Sequence, residues 1–383
     1  MVGAGIGGLC AAAGLQRAGV EVVVLERADE VRSGGSGLSV FSNGIRALDA
    51  LGVGDAFRAV TTRTEGLRAG QRRPSGAWLS TLPADAVAEL RVIDRADLHG
   101  LLSDAVTAGT VRTGRRVTSM YPNGLVESVG SGTAGARRAW DRFDLVIGAD
   151  GLRSAVRTGW PEDPGVAYSG YATWRGITAA PVELRGEAGE TWGVECRFGI
   201  APLADGRVYW FGVRTAGIDE PGDPALLREL FGSWHRPIPE LIDATDPAAM
   251  QYLPIEELSG DLPTFARGRA VLLGDAAHAM TPDLGQGGGM AMEDAATLVG
   301  LIAPFAGTEC GDAPELLDEA LRRYDELRRP RPQRVAARSR MIGRLAHAPG
   351  PLLCAARDLV VRATPAAALG RQAAWVHEWL LTR

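Results

Sequence analysis

Three short apolar runs, each ended by a carboxylate, are the clearest feature of the hydrophobic pattern. The runs are EVVVLE at 21–26, FDLVIGAD at 143–150 and RAVLLGD at 269–275. Nearly unbroken apolar runs of this length predict parallel strands that are covered on both faces. Ligands of such sheets bind beyond the carboxyl ends of the strands. We therefore expect Glu26, Asp150 and Asp275 to converge on one ligand.

Helical patterns separate these runs, and one region has a different pattern. Amphipathic spacing predicts helices over residues 9–18, 43–52, 94–106, 290–303 and 312–329. Asp94, with Asp97 three residues later, should cap the helix over 94–106, and Asp312 with Glu315 should cap the helix over 312–329. Pro330 and Pro332 should end the last helix. Residues 158–262 instead carry aromatic and β-branched runs with turn signals between them, which predicts an antiparallel sheet.

The order of these patterns predicts an α/β fold with an inserted sheet. A Rossmann-like domain would comprise residues 1–157 and 263–310, and a β-sheet domain at 158–262 would bind the substrate. Residues 311–383 would form C-terminal helices. The first domain is therefore expected to be discontinuous in sequence.

Composition narrows the classes of partner. The chain has 383 residues and a net charge of −5, which gives no reason to expect nucleic acid. Its apolar runs are too short for a membrane span, and no leader precedes Gly3, so we expect a cytoplasmic protein. Four widely spaced cysteines indicate reduced thiols and no metal site. The sequence contains no lysine, which excludes P-loop, Schiff-base and pyridoxal phosphate chemistry.

The first chemical motif is the G-x-G-x-x-G spacing of Gly3, Gly5 and Gly8. In a dinucleotide site, glycines at this spacing allow a tight turn, approach of a pyrophosphate and close packing of helix on strand. Glu26, 18 residues after Gly8, is placed to accept a hydrogen bond from a ribose hydroxyl. The alternative is a chance spacing in a chain with 50 glycines. Because only two residues precede Gly3, we expect the first strand to be cut short, its neighbours unpaired and the natural start upstream.

The second motif, GDAAHAMTPDLGQGGG, occupies residues 274–289 between a predicted strand and a helix. Asp275 could bind polyol hydroxyls, and the glycines of 285–289 leave room for a flat ligand. The following helix would direct its positive end at that ligand. The alternative is a glycine-rich connection without a ligand. A third motif, DLVIGADGLRSAVR at 144–157, offers Asp150 and Arg157; the latter would contact a phosphate or pair with an acid.

In combination these motifs resemble the single-component flavoprotein monooxygenases of the aromatic hydroxylase type, similar to salicylate and urate hydroxylases. The resemblance rests on the three motifs, on RADLH at 95–99, and on His278 and Pro282 within the second motif. It extends to about residue 340 and implies a Rossmann-like FAD-binding domain. It also implies that NADH or NADPH reduces the flavin, that O2 adds to give a peroxyflavin, and that oxygen is transferred to the substrate.

The resemblance further implies which residues contact FAD. Glu26 would hold the adenosine ribose, Arg32 and Arg95 the ribose, phosphates or ribityl chain, and Asp275 the ribityl chain. Asp150 would support the cofactor, and residues 34–40 would line the flavin edge. The full set of expected FAD contacts is Gly3, Gly5, Ile6, Gly7, Gly8, Glu26, Arg27, Arg32, Arg95, Asp150, Gly151, Gly274, Asp275, Pro282, Gly285, Gly287, Gly288 and Gly289. Gly289 stands where many relatives have a larger residue, so we expect a roomier substrate side.

Substrate contacts are expected from the inserted sheet. Arg197 and Tyr209 are the candidates for polar or catalytic groups, with an interdomain ion pair and sheet packing as their respective alternatives. His278 is expected to fix the turn after the strand by hydrogen bonding. The substrate would be an aromatic or conjugated small molecule, hydroxylated in preference to epoxidised, and the protein a monomer or homodimer.

The sequence argues against some rival functions and leaves two others open. No second G-x-G-x-x-G follows one of the predicted strands, and no redox cysteine pair occurs, which argues against two-dinucleotide enzymes and disulfide reductases. A related halogenase would need a lysine. An FAD-dependent oxidoreductase or saturase that inserts no oxygen, and a non-catalytic FAD-binding protein, are the alternatives.

Overall fold

A parallel sheet joins the N-terminus to the segments of the predicted nucleotide domain. The computed structural model describes residues 1–30, 36–64, 66–83, 88–131, 137–306 and 314–380. The strands of this sheet are β1 (Val24–Leu25), β6 (Val111–Arg112), β10 (Val146–Gly148), β16 (Ala266–Arg267) and β17 (Ala270–Leu272). β1 pairs with β6 and β10 with β17, both in parallel, whereas β16 and β17 are antiparallel. Each predicted run thus contains a strand of only two or three residues.

Val2 stands in the centre of this sheet and bridges its two halves. It forms parallel bridges to both Leu25 and Gly148. The Val2 amide donates to the Ile147 carbonyl at 2.8 Å, and the Ala149 amide donates to the Val2 carbonyl at 2.9 Å. The expectation that a short first strand leaves the neighbouring backbone unpaired is therefore wrong at these positions.

Helices cover both faces of the parallel sheet. Those of the first 160 residues are α1 (Ile6–Arg17), α2 (Ser42–Leu51), α3 (Gly54–Ala59), α4 (Arg95–Asp104) and α5 (Ala155–Thr158). The predicted helices over 9–18, 43–52 and 94–106 are confirmed, and the Asp94 carboxylate caps α4 by accepting from the Ala96 amide at 3.0 Å. The main core contains Leu9, Val24 and Leu272, each fully buried.

A seven-stranded sheet forms the second layer of the protein. Its strands, in spatial order, are β15 (Gln251–Leu258), β11 (Val166–Ile177), β14 (Val208–Thr215), β13 (Cys196–Pro202), β12 (Gly189–Trp192), β3 (Gly70–Arg72) and β4 (Trp78–Thr81). Pairing is antiparallel except between β12 and β3. The sheet therefore takes in residues 70–81, which the sequence-based division placed in the first domain. The helices α6 (Pro224–Phe231) and α7 (Ile238–Asp243) pack on its outer face with Trp210 and Phe198.

Two smaller sheets complete the strands. One is the antiparallel pair of β2 (Gly37–Val40) with β5 (Arg91–Asp94), which are far apart in the chain. The other is the three-stranded sheet of β7 (Arg115–Met120), β8 (Leu125–Gly130) and β9 (Arg138–Arg142). Short 3-10 turns span Pro247–Ala249, Pro282–Leu284 and Ala303–Phe305. β2 matters for function because it adjoins the inner face of the seven-stranded sheet, as described below.

Helices dominate the remainder of the chain. They are α8 (Asp275–His278), α9 (Gly287–Ile302), α10 (Pro314–Arg328), α11 (Pro330–Ala346), α12 (Gly350–Ala363) and α13 (Ala366–His377). α10 ends before Pro330 as predicted, but Pro330 and Pro332 also begin α11, since proline is tolerated in a first turn. The Asp312 half of the expected cap pair lies outside the described residues. Within the described ranges, no helix is long and apolar enough to cross a membrane.

Candidate functional site

A cavity of about 320 Å³ lies between the carboxyl end of the parallel sheet and the inner face of the seven-stranded sheet. One wall is made by Gly5, Ile6 and Gly7, by residues 37–39 of β2, and by residues of the 274–289 segment. The opposite wall is made by side chains of β11, β13 and β14, namely Thr173, Arg175, Arg197, Tyr209, Phe211 and Val213. The three sequence motifs therefore meet at one cavity with the inserted sheet.

The glycine turn after Val2 is built for close approach. Gly3 has φ +95°, and a Cβ there would lie 2.5 Å from the backbone oxygen of Ala149. A Cβ on Gly8 would collide with the Gly3 carbonyl oxygen, whereas one on Gly5 would meet nothing within 4 Å. Gly5 is thus the open position of the turn, and α1 begins beyond it at Ile6 with no side chain capping its amides. Such an uncapped N-terminus favours an anion.

Glu26 ends β1 on the other side of this turn. Its carboxylate accepts hydrogen bonds from the Ala4 amide at 2.7 Å and from the Ala28 amide at 2.9 Å. Each oxygen keeps a further lone pair for a ligand hydroxyl. A second hollow of about 260 Å³ opens beside Ala4 and is lined by Val106, Thr107 and Val111 among others. Two hollows therefore flank the glycine turn, one at Ala4 and one at Gly5–Gly7.

The second and third motifs each bring one carboxylate to this region, and the two differ in exposure and in hydrogen bonding. Asp275 begins α8, is exposed, lines the cavity and makes no hydrogen bond with any described side chain or amide. Asp150 accepts from the Ala155 amide at 2.7 Å, but its Oδ1 is buried and has no partner in the part of the chain that the structure describes. Burial raises the pKa of Asp150. Gly151 and Ala149 line the cavity beside it. Asp275 is thus free to bind hydroxyls directly.

The glycines at 285–289 divide between the cavity and the protein interior. Gly285, Gly287 and Gly288 line the cavity together with Pro282. Gly289 faces the interior, where a Cβ would lie 3.0 Å from Asn43 Nδ2 and 3.1 Å from Gln286 Oε1. The expectation that Gly289 enlarges the substrate side is therefore wrong, because the space beside it is already filled by these two amides.

A buried network of charges supports the 274–289 segment from behind. His278 Nε2 lies 2.6 Å from Asp294 Oδ2, and the same oxygen accepts from the Gly274 amide at 2.9 Å. Arg328 pairs with both Asp294 and Glu293 at 2.7 Å. Burial alone would raise the pKa of Asp294, but His278 and Arg328 lower it to about 2. His278 therefore holds the turn, as expected, and does not line the cavity.

Arg157 has a comparable structural role. Its Nε pairs with Asp163 at 2.7 Å, and its other nitrogens donate to the carbonyls of Ala276 and Leu152. Arg157 is 1% exposed. Of its two predicted roles, contact with a phosphate or pairing with an acid, the structure shows the ion pair. The hydrogen bond to the Ala276 carbonyl ties the third motif to α8. No local pattern in the sequence indicated that Arg157 would be buried.

Arg197 and Tyr209 both reach the cavity, and each also has the structural contact considered as its alternative. Arg197 is buried and pairs with Asp283 of the Pro282–Leu284 turn and with Glu190 at 3.2 Å. Its Nε has no hydrogen-bond partner within the described ranges. The Tyr209 ring packs on Gly37 of β2, while its hydroxyl makes no hydrogen bond with described residues. Both residues thus contact a separate part of the fold and also line the cavity.

Further groups behind Arg197 were not expected from the sequence. The Tyr171 hydroxyl donates to Asp283 Oδ2 at 2.7 Å, and the His347 ring packs 4.6 Å from the Tyr171 ring. Burial and the nearby Arg197 cation lower the pKa of His347 to about 3, so this imidazole is neutral. These residues come from β11, the 3-10 turn and the end of α11, and only the tertiary fold brings them together.

Three arginines and the loop at 34–40 are the remaining predicted cofactor contacts, and only some of them line the cavity. Arg95 lines the cavity and its guanidinium has no described partner. Arg27 is exposed and lies outside both hollows among the described lining residues. Arg32 lies outside the described residues, as do positions 34 and 35 of the expected flavin-edge loop. The rest of that loop is β2, of which residues 37–39 line the cavity.

Comparison with known proteins places this geometry among flavoproteins. The family model described as FAD binding domain matches residues 1–339. The chain is 35% identical to aurachin C monooxygenase/isomerase of Stigmatella aurantiaca, over 94% of this chain and 93% of the relative. It is 34% identical to 3-amino-4-hydroxybenzoate 2-monooxygenase of Streptomyces cremeus, over 95% and 91% of the two chains.

A solved structure with a bound ligand is similar over nearly the whole fold. It is Klebsiella pneumoniae HpxO complexed with FAD and uric acid, with a TM-score of 0.84 and 27% identity over 98% of this chain and 95% of that chain. The FAD-dependent urate hydroxylase of the same organism is 33% identical over 78% of this chain and 79% of the relative.

Proposed function

The chain belongs to the FAD binding domain family, and on that premise we propose that the cavity binds an aromatic or conjugated small molecule for oxygenation. The protein is an FAD-dependent monooxygenase, and the relatives above are two monooxygenases and an FAD-dependent urate hydroxylase. When bound, FAD would supply the redox chemistry: it accepts electrons from NADH or NADPH and activates O2 for transfer of one oxygen atom to the substrate. Oxygen insertion is favoured over the saturase and non-catalytic alternatives because the relatives are monooxygenases and hydroxylases.

The two hollows flanking the glycine turn fit the two halves of FAD. The adenosine half would lie beside Ala4, with its ribose hydroxyl donating to Glu26. The pyrophosphate would cross Gly5, where no Cβ obstructs it, and rest on the uncapped amides of α1. Asp275, which has no hydrogen-bond partner among the described residues, would accept from ribityl hydroxyls. Arg95 would neutralise phosphate charge.

The flavin ring would lie on the glycine face of the 274–289 segment. Gly285, Gly287 and Gly288 place no side chain on that face, and α9 begins there at Gly287, so its first amides would face the ring. The positive end of a helix stabilises the negative charge that a reduced flavin carries. The buried network of His278, Asp294 and Arg328 would keep this face rigid through each reduction and oxidation.

The substrate would occupy the side of the cavity formed by the seven-stranded sheet. Phe211 and Val213 offer apolar contact to a ring. Arg197 and Tyr209 line the cavity, and neither the Arg197 Nε nor the Tyr209 hydroxyl is hydrogen-bonded to a described residue, so both could contact polar substituents of that ring. Because Asp283 and Glu190 hold Arg197 in place, little entropy is lost when it binds a substrate. This placement of two unsatisfied polar groups opposite the glycine face is the observation that carries the proposal.

The domain division and assembly follow as proposals of the same kind. Residues 1–157 with 263–310 would form the FAD-binding unit, 158–262 the substrate unit, and 311–383 the helical cover. A monomer or homodimer, located in the cytoplasm, is expected.

The experiment is substrate-stimulated oxidation of NADH and NADPH by the purified holoprotein across phenols, N-heteroaromatic compounds and polyenes. We expect bound FAD in the protein and stimulation by at least one aromatic compound. A colourless protein that binds no added FAD, or a flavin that no tested compound renders reducible by NADH or NADPH, would contradict the proposal.

A further inference from the structure

Arg175 places an uncompensated positive charge in the wall of the cavity. It belongs to β11, where it is paired across the ladders with Phe211 of β14 and Gln251 of β15. Its side chain lines the cavity, and its guanidinium makes no hydrogen bond or ion pair with any described residue. An arginine that is half withdrawn from water without a carboxylate is costly unless a ligand completes it.

The neighbouring charges do not provide that partner. Arg197 is neutralised by Asp283 and Glu190. Asp275 is the one carboxylate among the described residues lining the cavity, and it belongs to the opposite wall. Burial raises the pKa of Tyr209, whereas the nearby cations Arg175 and Arg95 act in the opposite direction. The sheet side of the cavity is therefore positive.

The alternation of β11 fixes which wall Arg175 occupies. Thr173 and Arg175 point into the cavity, whereas Trp174 between them is buried with Phe198 and Trp210 in the outer core. Phe211, directly opposite Arg175 in the ladder, lines the same cavity. A ring held against Phe211 would bring a substituent to the guanidinium.

We propose that Arg175 is an anion subsite that selects substrates whose conjugated ring carries a carboxylate or an ionised ring oxygen. This inference rests on the proposed function for the location of the substrate. Arg175 would hold the anionic edge, and Arg197 with Tyr209 would contact neutral polar groups elsewhere on the ring. A planar guanidinium is suited to such an anion because it can donate two parallel hydrogen bonds.

The test compares acids with their amides, which share a ring and differ in charge. Isothermal titration calorimetry on the holoprotein would measure binding of salicylate, benzoate and 3-amino-4-hydroxybenzoate against the three corresponding amides. We expect at least one acid to bind at least about ten-fold more tightly than its amide. Arg175→Gln should remove that difference, Arg175→Lys should restore part of it, and amide binding should change less than two-fold.

The matched control is Arg371→Gln, an exposed arginine on α13. It should leave every dissociation constant unchanged. FAD content and circular dichroism of all variants would show that binding losses are not losses of fold or cofactor. The absence of any preference for an acid, whether both ligands bind or neither does, would overturn the proposal.

Two further outcomes separate this inference from other roles. A higher KM for NADH or NADPH in Arg175→Gln, with acid binding unchanged, would assign Arg175 to the nicotinamide substrate and overturn the anion subsite. Calorimetry does not require turnover. An acid preference lost in Arg175→Gln would therefore stand even if no compound were oxygenated, whereas the proposed function alone would then fail.

Discussion

Removal of Arg328 probes the buried charge network that supports the cofactor-binding segment. Arg328 is 1% exposed and pairs at 2.7 Å with Glu293 and Asp294, both fully buried. Arg328→Met would leave two like charges in the interior. Removing one partner of a buried pair costs about 3–5 kcal/mol. Arg331 would still pair with Glu293 at 2.8 Å, so we expect the free energy of unfolding to fall by about 3 kcal/mol.

Urea unfolding followed by circular dichroism would measure this loss. Arg329→Met is the matched control, because Arg329 is the next residue, is 32% exposed in its side chain and pairs with Asp325 one turn away. Its expected cost is below about 1 kcal/mol. FAD occupancy provides a second readout, since Asp294 also accepts from the Gly274 amide. Equal losses in the two variants would refute the assignment of a buried network.

Neutralising the whole cluster tests the physical cause. The triple variant Arg328→Met, Glu293→Gln, Asp294→Asn neutralises both carboxylates that lose Arg328 in the single variant, while Arg331 keeps its hydrogen bonds to the Trp375 and Val376 carbonyls. It should regain part of the lost stability, because buried charges without partners are more costly than neutral groups. A triple variant no more stable than Arg328→Met would mean that packing of the arginine, and not its charge, dominates.

Other predictions follow from single positions. Asp275→Ala should purify with little FAD while keeping its circular dichroism, and full flavin occupancy would contradict the ribityl contact. Gly3→Ala should abolish FAD binding or folding because its Cβ would lie 2.5 Å from a backbone oxygen; Gly19→Ala, also at positive φ but with nothing within 4 Å, should cost only about 1 kcal/mol in thermal unfolding. Tyr209→Phe should keep FAD and raise the KM of the aromatic substrate about ten-fold, and an unchanged KM would limit Tyr209 to packing. The folded-state pKa of Asp294 is lowered to about 2, so its carboxylate contributes about 2 kcal/mol to the free energy of unfolding above pH 4, and this contribution is lost as pH falls to 2. Asp294→Asn should flatten the pH dependence of the free energy of unfolding in that window.

The sequence predicted the cofactor wall of the site better than the substrate wall. The residues on the cofactor wall belong to contiguous motifs, so Gly5, Asp275 and Gly287 could be placed from local spacing alone. The exposure of Asp275 and the burial of Gly289 could not, because they depend on what packs behind the 274–289 segment. Asn43, which fills the space beside Gly289, lies more than 200 residues away in the chain.

Long-range pairs explain what the sequence did not predict. Arg175 belongs to no sequence motif, and its position in the cavity depends on the register of β11 with β14. Tyr171, Asp283 and His347 come from three separate elements and meet only through tertiary packing. The lengths of the parallel strands were overestimated because an apolar run does not show where ladder pairing stops.

Isotope incorporation tests the central claim most directly. The holoprotein would be supplied with NADH or NADPH and an aromatic compound that stimulates its oxidation, under ¹⁸O₂ in unlabelled water. The account predicts a product that carries one ¹⁸O atom and is formed only by FAD-containing protein. A product without label, or labelled only when the water carries ¹⁸O, would contradict monooxygenation in this cavity.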